Sequence, residues 1–398
     1  MAFIRRLTSA NRLQRTALLL GVAIALVALA LTACGGDDSS GATTKTTGPT
    51  GTAAGATSSR TGGAAVEACP PAGGVKSLNG AGATFPNPLY SEWFQRYADL
   101  CKVEVNYQSI GSGGGIQQIT AKTVDFGASD GILNEDQKAA APGPIHMIPM
   151  TSDAVAVVYN LEGISSGGIT LDGATLAKIF LGKITKWNDP AIAALNSGVS
   201  LPSEDITVVH RSDGSGTTFI FTNYLSKVSD EWKAGPGNAT SVNWPTGVGG
   251  QGNEGVAGQV KQLPGSIGYI SLGYVKANDI AFAKMLNKSS KAIEPSIEST
   301  RAAAEGVTLP DNMEVMITDS SNTNAYPISG FTWLLVYAQQ DDKATAITLG
   351  HLIHWMLTDA QQYSEALDYV PLSSEAAEKG LAELQATTYQ GAPITELK

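Results

Sequence analysis

The chain has 398 residues, 43% of them hydrophobic, with 44 Gly and a formal net charge of −10. That length and apolar content suffice for two packed domains and exclude a disordered chain. The acidic balance argues against a nucleic-acid partner, because phosphate backbones select basic surfaces.

The first segment reads as an address rather than as fold. Arg5, Arg6, Arg12 and Arg15 precede an apolar run at 17–31, shorter than the roughly 20 residues of a spanning helix and of the size of a signal-peptide core. It ends in Leu31-Thr32-Ala33-Cys34, which resembles a bacterial lipobox, with 1–33 removed and Cys34 lipidated. The alternative is an ordinary secreted protein with an incidental cysteine. Residues 34–74 are rich in Gly, Ser, Thr and Ala with almost nothing to bury, the composition of a flexible tether. The other two cysteines are Cys69 and Cys101. An isolated pair in an exported chain reads as a disulfide, with two free thiols as the alternative.

From residue 75 the pattern alternates. Strands are predicted at 103–107, 154–159, 206–210, 267–270, 313–317 and 331–337, and helices at 88–100, 116–123, 173–181, 217–227, 256–262 and 344–363. Such alternation predicts α/β lobes, each a sheet flanked by helices, and no internal repeat is present.

Three glycine loops hand over to predicted helices. They are Gly80-Ala81-Gly82-Ala83-Thr84-Phe85, Gly111-Ser112-Gly113-Gly114-Gly115, and Arg211-Ser212-Asp213-Gly214-Ser215-Gly216-Thr217. Each offers helix N–H groups without partners, the positive end of a helix dipole, and a hydroxyl. If the three converge they make an anion site that needs no metal or cofactor; if not, they are ordinary helix caps. A fourth loop, Gly250-Gln251-Gly252-Asn253-Glu254-Gly255, fits the dinucleotide pattern G-x-G-x-x-G literally. No strand is predicted before it, so that reading is weak.

Enzyme readings find little. A hydrolase elbow needs G-x-S-x-G, but Ile110 and Asp213 stand two places before Ser112 and Ser215. His146, His210, His351 and His354 are scattered, and only the last two share a helical face, with no third metal ligand near.

The stretches "NGAGATFP", "GSGGGIQQI", "VDFGASD", "IFLGKITKWNDPAI", "RSDGSGTTFIF", "GNEGVAGQVKQLPGSIGYI" and "YPISGFTWLLV" occur in this order from about residue 77 onward. Together they resemble the phosphate-binding component of phosphate ABC transporters. The resemblance implies a two-lobed Venus-flytrap fold with two inter-lobe crossovers, near 150–160 and 319–326. Lobe one is then 75–155 plus 322–398, and lobe two 156–321. It also implies a monomer that binds inorganic phosphate outside the cytoplasmic membrane and serves a membrane permease. Carried over by motif, the phosphate site comprises Thr84, Phe85, Ser112, Asp130, Arg211, Asp213, Ser215, Gly216 and Thr217. Arg211 supplies a planar fork to phosphate oxygens, Asp213 orients it, and Asp130 is the lone carboxylate acceptor. Gly113 departs from members that carry a second serine there. A secreted phosphatase with the same loops is the alternative from another class.

Overall fold

Residues 154–159, Ala-Val-Ala-Val-Val-Tyr, are continuously apolar, so a strand there must be covered on both faces. The computed structural model describes residues 69, 70 and 72–397, within the unit Gly63–Lys398. The signal segment, Cys34 and most of the tether lie outside the described residues. Nine strands make the main sheet: Ser77–Gly82 (β1), Glu104–Ser109 (β2), Phe126–Ser129 (β3), Ile145–Tyr159 (β4), Thr207–Arg211 (β5), Val248–Gly250 (β6), Ser266–Ser271 (β7), Ala281–Phe282 (β8) and Ser329–Tyr337 (β9). Their order is β2-β1-β3-β9-β4-β7-β5-β6, with β8 also against β4. The helices used below are Asn87–Cys101 (α1), Ser112–Thr120 (α2), Gly216–Val228 (α3), Gly252–Gln262 (α4) and Lys343–Leu357 (α5).

The predicted strand 154–159 is the end of the longer β4, and β4 is shared. Its residues 145–154 pair antiparallel with β9, and 155–159 pair antiparallel with β7. At the handover the Val155 N–H donates to the Ile328 carbonyl at 2.7 Å. One strand therefore runs through both halves of the sheet, and the chain returns beside it just before β9.

Each half has its own core. Phe180, Trp187, Phe221, Val256 and Tyr269 cover the β7-β5-β6 half. Trp93, Tyr97, Phe126, Leu352 and Trp355 cover the β2-β1-β3 half. Along β9 the side chains alternate, as a strand requires. Leu334 and Val336 enter the second core, while Trp333 and Leu335 meet Ile119, Met147, Met313 and Ile317 on the opposite face. Trp333 is fully buried, and its truncation to Ala costs about 3–5 kcal/mol.

Two predicted elements differ. Residues 313–317 are irregular rather than a strand. Met313 has φ 55°, which a strand cannot hold, and its carbonyl accepts from Trp333 Nε1 at 3.2 Å. The alternating apolar residues pack on β9 instead of pairing with it. The helix expected over 344–363 is α5 followed by a 3₁₀ turn, Asp359–Tyr363. Thr358, at φ −118° and ψ −91°, separates them. Cys69 and Cys101 form a disulfide with Cα atoms 5.0 Å apart and a sequence separation of 32. Closing a loop of that size stabilises by about 3–4 kcal/mol.

Candidate anion-binding site

Every loop singled out in the sequence leaves the carboxyl end of a strand, the edge where open α/β sheets place ligands. β1 leads through Thr84 and Phe85 to α1, β2 through Gly111 to α2, and β3 directly to Asp130. From the other half, β5 ends at Arg211 and leads through Ser215 to α3. The loops converge. Gly113 N–H donates to the Gly214 carbonyl at 2.8 Å. A Cβ on Gly216 would stand 2.5 Å from both Asp130 Oδ2 and Ser112 Oγ. Gly111 has φ 85°, and a Cβ there would lie 2.3 Å from Asp213 Oδ2. Only glycine fits at either point. Gly113, the departure from the family pattern, is where the two backbones touch: a Cβ there would be 2.9 Å from Gly214 Cα.

All nine expected residues lie at this junction. Thr84, Phe85, Ser112, Asp130, Arg211, Ser215 and Thr217 are buried. The Arg211 fork is set by Asp213, with Nε to Oδ1 at 2.8 Å and Nη2 to Oδ2 at 2.5 Å. Its Nη1 donates to Thr217 Oγ1 at 3.3 Å. Burial works to raise the Asp213 pKa, but the hydrogen bonds and charge of Arg211 and the Gly252 N–H outweigh it and hold it below the ordinary value. Ser215 caps α3, accepting from Thr218 N–H at 3.0 Å. Gly216 and Thr217 begin α3, where the first N–H groups have no intrahelical acceptor. Phe85 inserts its ring into the core of the β7-β5-β6 half, and its carbonyl accepts from Tyr369 Oη at 2.6 Å.

Asp130 is different from its surroundings. Its Oδ1 accepts from Thr332 Oγ1 at 2.8 Å, whereas the buried Oδ2 has no hydrogen-bond partner. Burial raises its pKa to about 7, against the opposing pull of the Thr332 hydroxyl, the Arg211 charge and the Ser112 hydroxyl, which lies near the carboxyl but outside hydrogen-bond geometry to Oδ2. The junction thus gathers N–H groups, hydroxyls and one guanidinium around a single open acceptor. That set fits a compact oxyanion which still carries a proton.

Three further residues were not singled out in the sequence. Thr332 holds Asp130, Tyr269 Oη accepts from Arg211 N–H at 3.1 Å, and Asn253 joins Thr84 to Thr217. Asn253 sits in the fourth glycine loop. β6 precedes that loop as a three-residue strand parallel to β5, which corrects the expectation of no strand there. Its brevity and its two glycines hide it. His351 Nδ1 meets Tyr97 Oη at 2.9 Å, and no group of three metal-ligating side chains occurs among the described residues.

Fold and site define a two-lobed α/β binding protein. The model of the PBP superfamily domain matches residues 42–360. The phosphate-binding protein PstS of Pasteurella multocida is 44% identical over 307 residues, covering 77% of this chain and 89% of that protein. PstS3 of Mycobacterium bovis is 33% identical over 377 residues, covering 92% and 96%. The crystal structure of a phosphate-binding protein from Stenotrophomonas maltophilia matches with a TM-score of 0.63 at 20% identity, over 81% of this chain and 97% of that one. The chain belongs to the family of phosphate-binding PstS proteins within the PBP superfamily.

Proposed function

We propose that this protein captures inorganic phosphate outside the cytoplasmic membrane and passes it to the permease of an ABC transporter. The observation that carries this reading is the buried, unpartnered Asp130 Oδ2 among donors. Phosphate near neutral pH keeps at least one proton, and sulfate keeps none. An ionised Asp130 accepts the P–O–H proton but faces bare lone pairs on sulfate, and a repulsive contact of that kind in a dry site gives strong discrimination.

The lobes are 75–155 with 322–398, and 156–321, except that residues 303–317, packed against β9, move with the first lobe. The hinge lies where β4 changes partners. Phosphate favours closure because its contacts come from both lobes. In this reading the site binds without turnover, since Ile110 and Asp213 stand where a hydrolase elbow around Ser112 or Ser215 needs glycine. The protein is a monomer tethered through a lipid on Cys34, and Cys34→Ser is expected to move it to the soluble fraction.

Calorimetry of the delipidated protein with phosphate and sulfate in parallel at pH 8 tests the reading. Tight phosphate binding and absent sulfate binding are expected; comparable affinities overturn it. Hydrolysis of an activated phosphate monoester, lost in Ser112→Ala or Ser215→Ala, would establish the phosphatase instead.

A further inference from the structure

Asn253 is fully buried and is the second residue of α4. Its Oδ1 accepts from the Ser271 backbone N–H at 3.0 Å. A backbone N–H can only donate, so this contact fixes the orientation of the amide. The NH2 group must then face the other way. There Nδ2 donates to Thr84 Oγ1 at 2.8 Å and to Thr217 Oγ1 at 3.1 Å. Thr84 Oγ1 also receives the Asn253 backbone N–H at 3.2 Å, and Thr217 Oγ1 also receives Arg211 Nη1 at 3.3 Å.

Each threonine oxygen therefore faces two donors. A hydroxyl has one proton and two lone pairs. With both lone pairs engaged by protein donors, the proton is left to point elsewhere, and neither hydroxyl donates to a protein acceptor among the described residues. Both belong to the phosphate site, so the free direction is toward the anion. We propose that Asn253 is a positioning residue that turns the Thr84 and Thr217 hydroxyls into obligate donors for the bound anion, at Thr84 only when the lobes are closed. The closure condition follows from topology. Thr84 follows β1 in one half of the sheet, while Asn253 and Thr217 open α4 and α3 in the other. In an open protein the Thr84 hydroxyl loses both donors and its proton is free to rotate. This rests on the phosphate reading above.

A double-mutant cycle on the full domain tests the inference. Asn253→Asp keeps the shape of the side chain but turns the donor into an acceptor, so the hydroxyls donate to it instead of to the ligand. Phosphate affinity is expected to fall by roughly 100-fold or more, since two ligand hydrogen bonds are lost. Repulsion by the added charge also weakens binding, so the decisive quantity is the coupling with Thr84→Val. Thr84→Val is expected to cost about tenfold or more in the natural background and little in the Asn253→Asp background. Repulsion by the added charge alone gives additive effects, and additivity overturns the inference; because contact by itself couples neighbours, a third variant separates a structural role. Asn253→Leu, which removes the donor without supplying an acceptor, leaves the hydroxyls free to turn to phosphate. It is expected to weaken binding less than Asn253→Asp, and the reverse order also overturns the inference. If the unaltered protein binds no phosphate, the parent reading fails and this one with it. If it binds phosphate and the cycle is additive, only the role of Asn253 fails.

Discussion

Two corners of the sheet hold fully buried carboxyls. Asp130 follows β3, and Asp153 lies in β4 one residue before Ala154, where the strand passes between the halves. Burial raises both out of the usual range, to about 7 for Asp130 and about 8 for Asp153, with hydroxyls pulling the other way in each case. They differ in how their oxygens are used. Asp153 Oδ1 accepts from Ala154 N–H at 2.7 Å and Oδ2 from Ser271 Oγ at 2.5 Å. Asp130 has only one oxygen paired. Leaving a buried acceptor unpaired costs about 1–3 kcal/mol. Similar shifts thus go with different surroundings: under the phosphate reading proposed above, Asp130 Oδ2 is left for the ligand, whereas Asp153 is satisfied within the protein.

The largest expected effect falls beside Asp130. Arg211→Ala removes the fork and leaves Asp213 without its cation. Phosphate binding is expected to weaken by about 3–5 kcal/mol, as for other buried charge partners. A change below tenfold by calorimetry would sink the assignment of Arg211 as a phosphate contact.

The comparison itself is sharpened by making the same change at both corners. Asp130→Asn removes the repulsion toward sulfate and adds a donor, so sulfate binding is expected to appear while phosphate binding survives. Asp153→Asn should leave the phosphate-to-sulfate ratio unchanged and act on stability. The folded-state pKa of Asp153 is raised from 3.8 to about 8. Its favourable contribution is complete below the unfolded value and is lost as pH rises through the folded one. In the absence of phosphate, melting temperature plotted against pH between about 4 and 8 should therefore be flatter for Asp153→Asn than for the natural protein. Selectivity altered at Asp153 and untouched at Asp130 breaks the comparison.

The smallest effect concerns Thr332. Its hydroxyl helps to lower the Asp130 pKa. A protonated Asp130 can donate to sulfate, so sulfate exclusion is expected to weaken as pH falls through about 7. Thr332→Val should move that transition upward, by up to about a unit for the loss of one hydrogen bond. A downward move in competition measurements contradicts the role given to Thr332.

The site was more legible in the sequence than the sheet around it. Thr84, Ser112 and the Arg211–Thr217 loop stand out as glycines beside hydroxyls at helix starts, but each alone reads equally as a helix cap, and only the family resemblance joins them into one site. Asn253 and Thr332 touch other side chains rather than opening a loop with its own hydroxyl, and no local pattern marks that. β1, Ser-Leu-Asn-Gly-Ala-Gly, and β3, Phe-Gly-Ala-Ser, escape for a different reason. Their glycines lower strand propensity, yet a close approach demands them. A Cβ on Gly80 would meet the Phe126 ring at 2.2 Å. The first part of β4 escapes too, because Pro149 and the polar Thr151, Ser152 and Asp153 break the apolar run.

The place of β9 also dictates an order of assembly. It inserts between β3 and β4, pairing Trp333 with Ser129 and with Pro149. The β5, β6 and β7 strands come from one continuous stretch of chain and need no later residue to pair with one another. The β2-β1-β3 strands, by contrast, have an unfilled edge at β3 until residues 329–337 are present. Pairing over such a span is slow, and an unfilled strand edge is sticky while it waits. The half that carries Arg211 is therefore the one able to fold early, and the half that carries Asp130 closes only when β9 fits between its two neighbours. A chain cut short before residue 329 would keep two open strand edges, at β3 and along the first part of β4, and would be prone to aggregate rather than to bind.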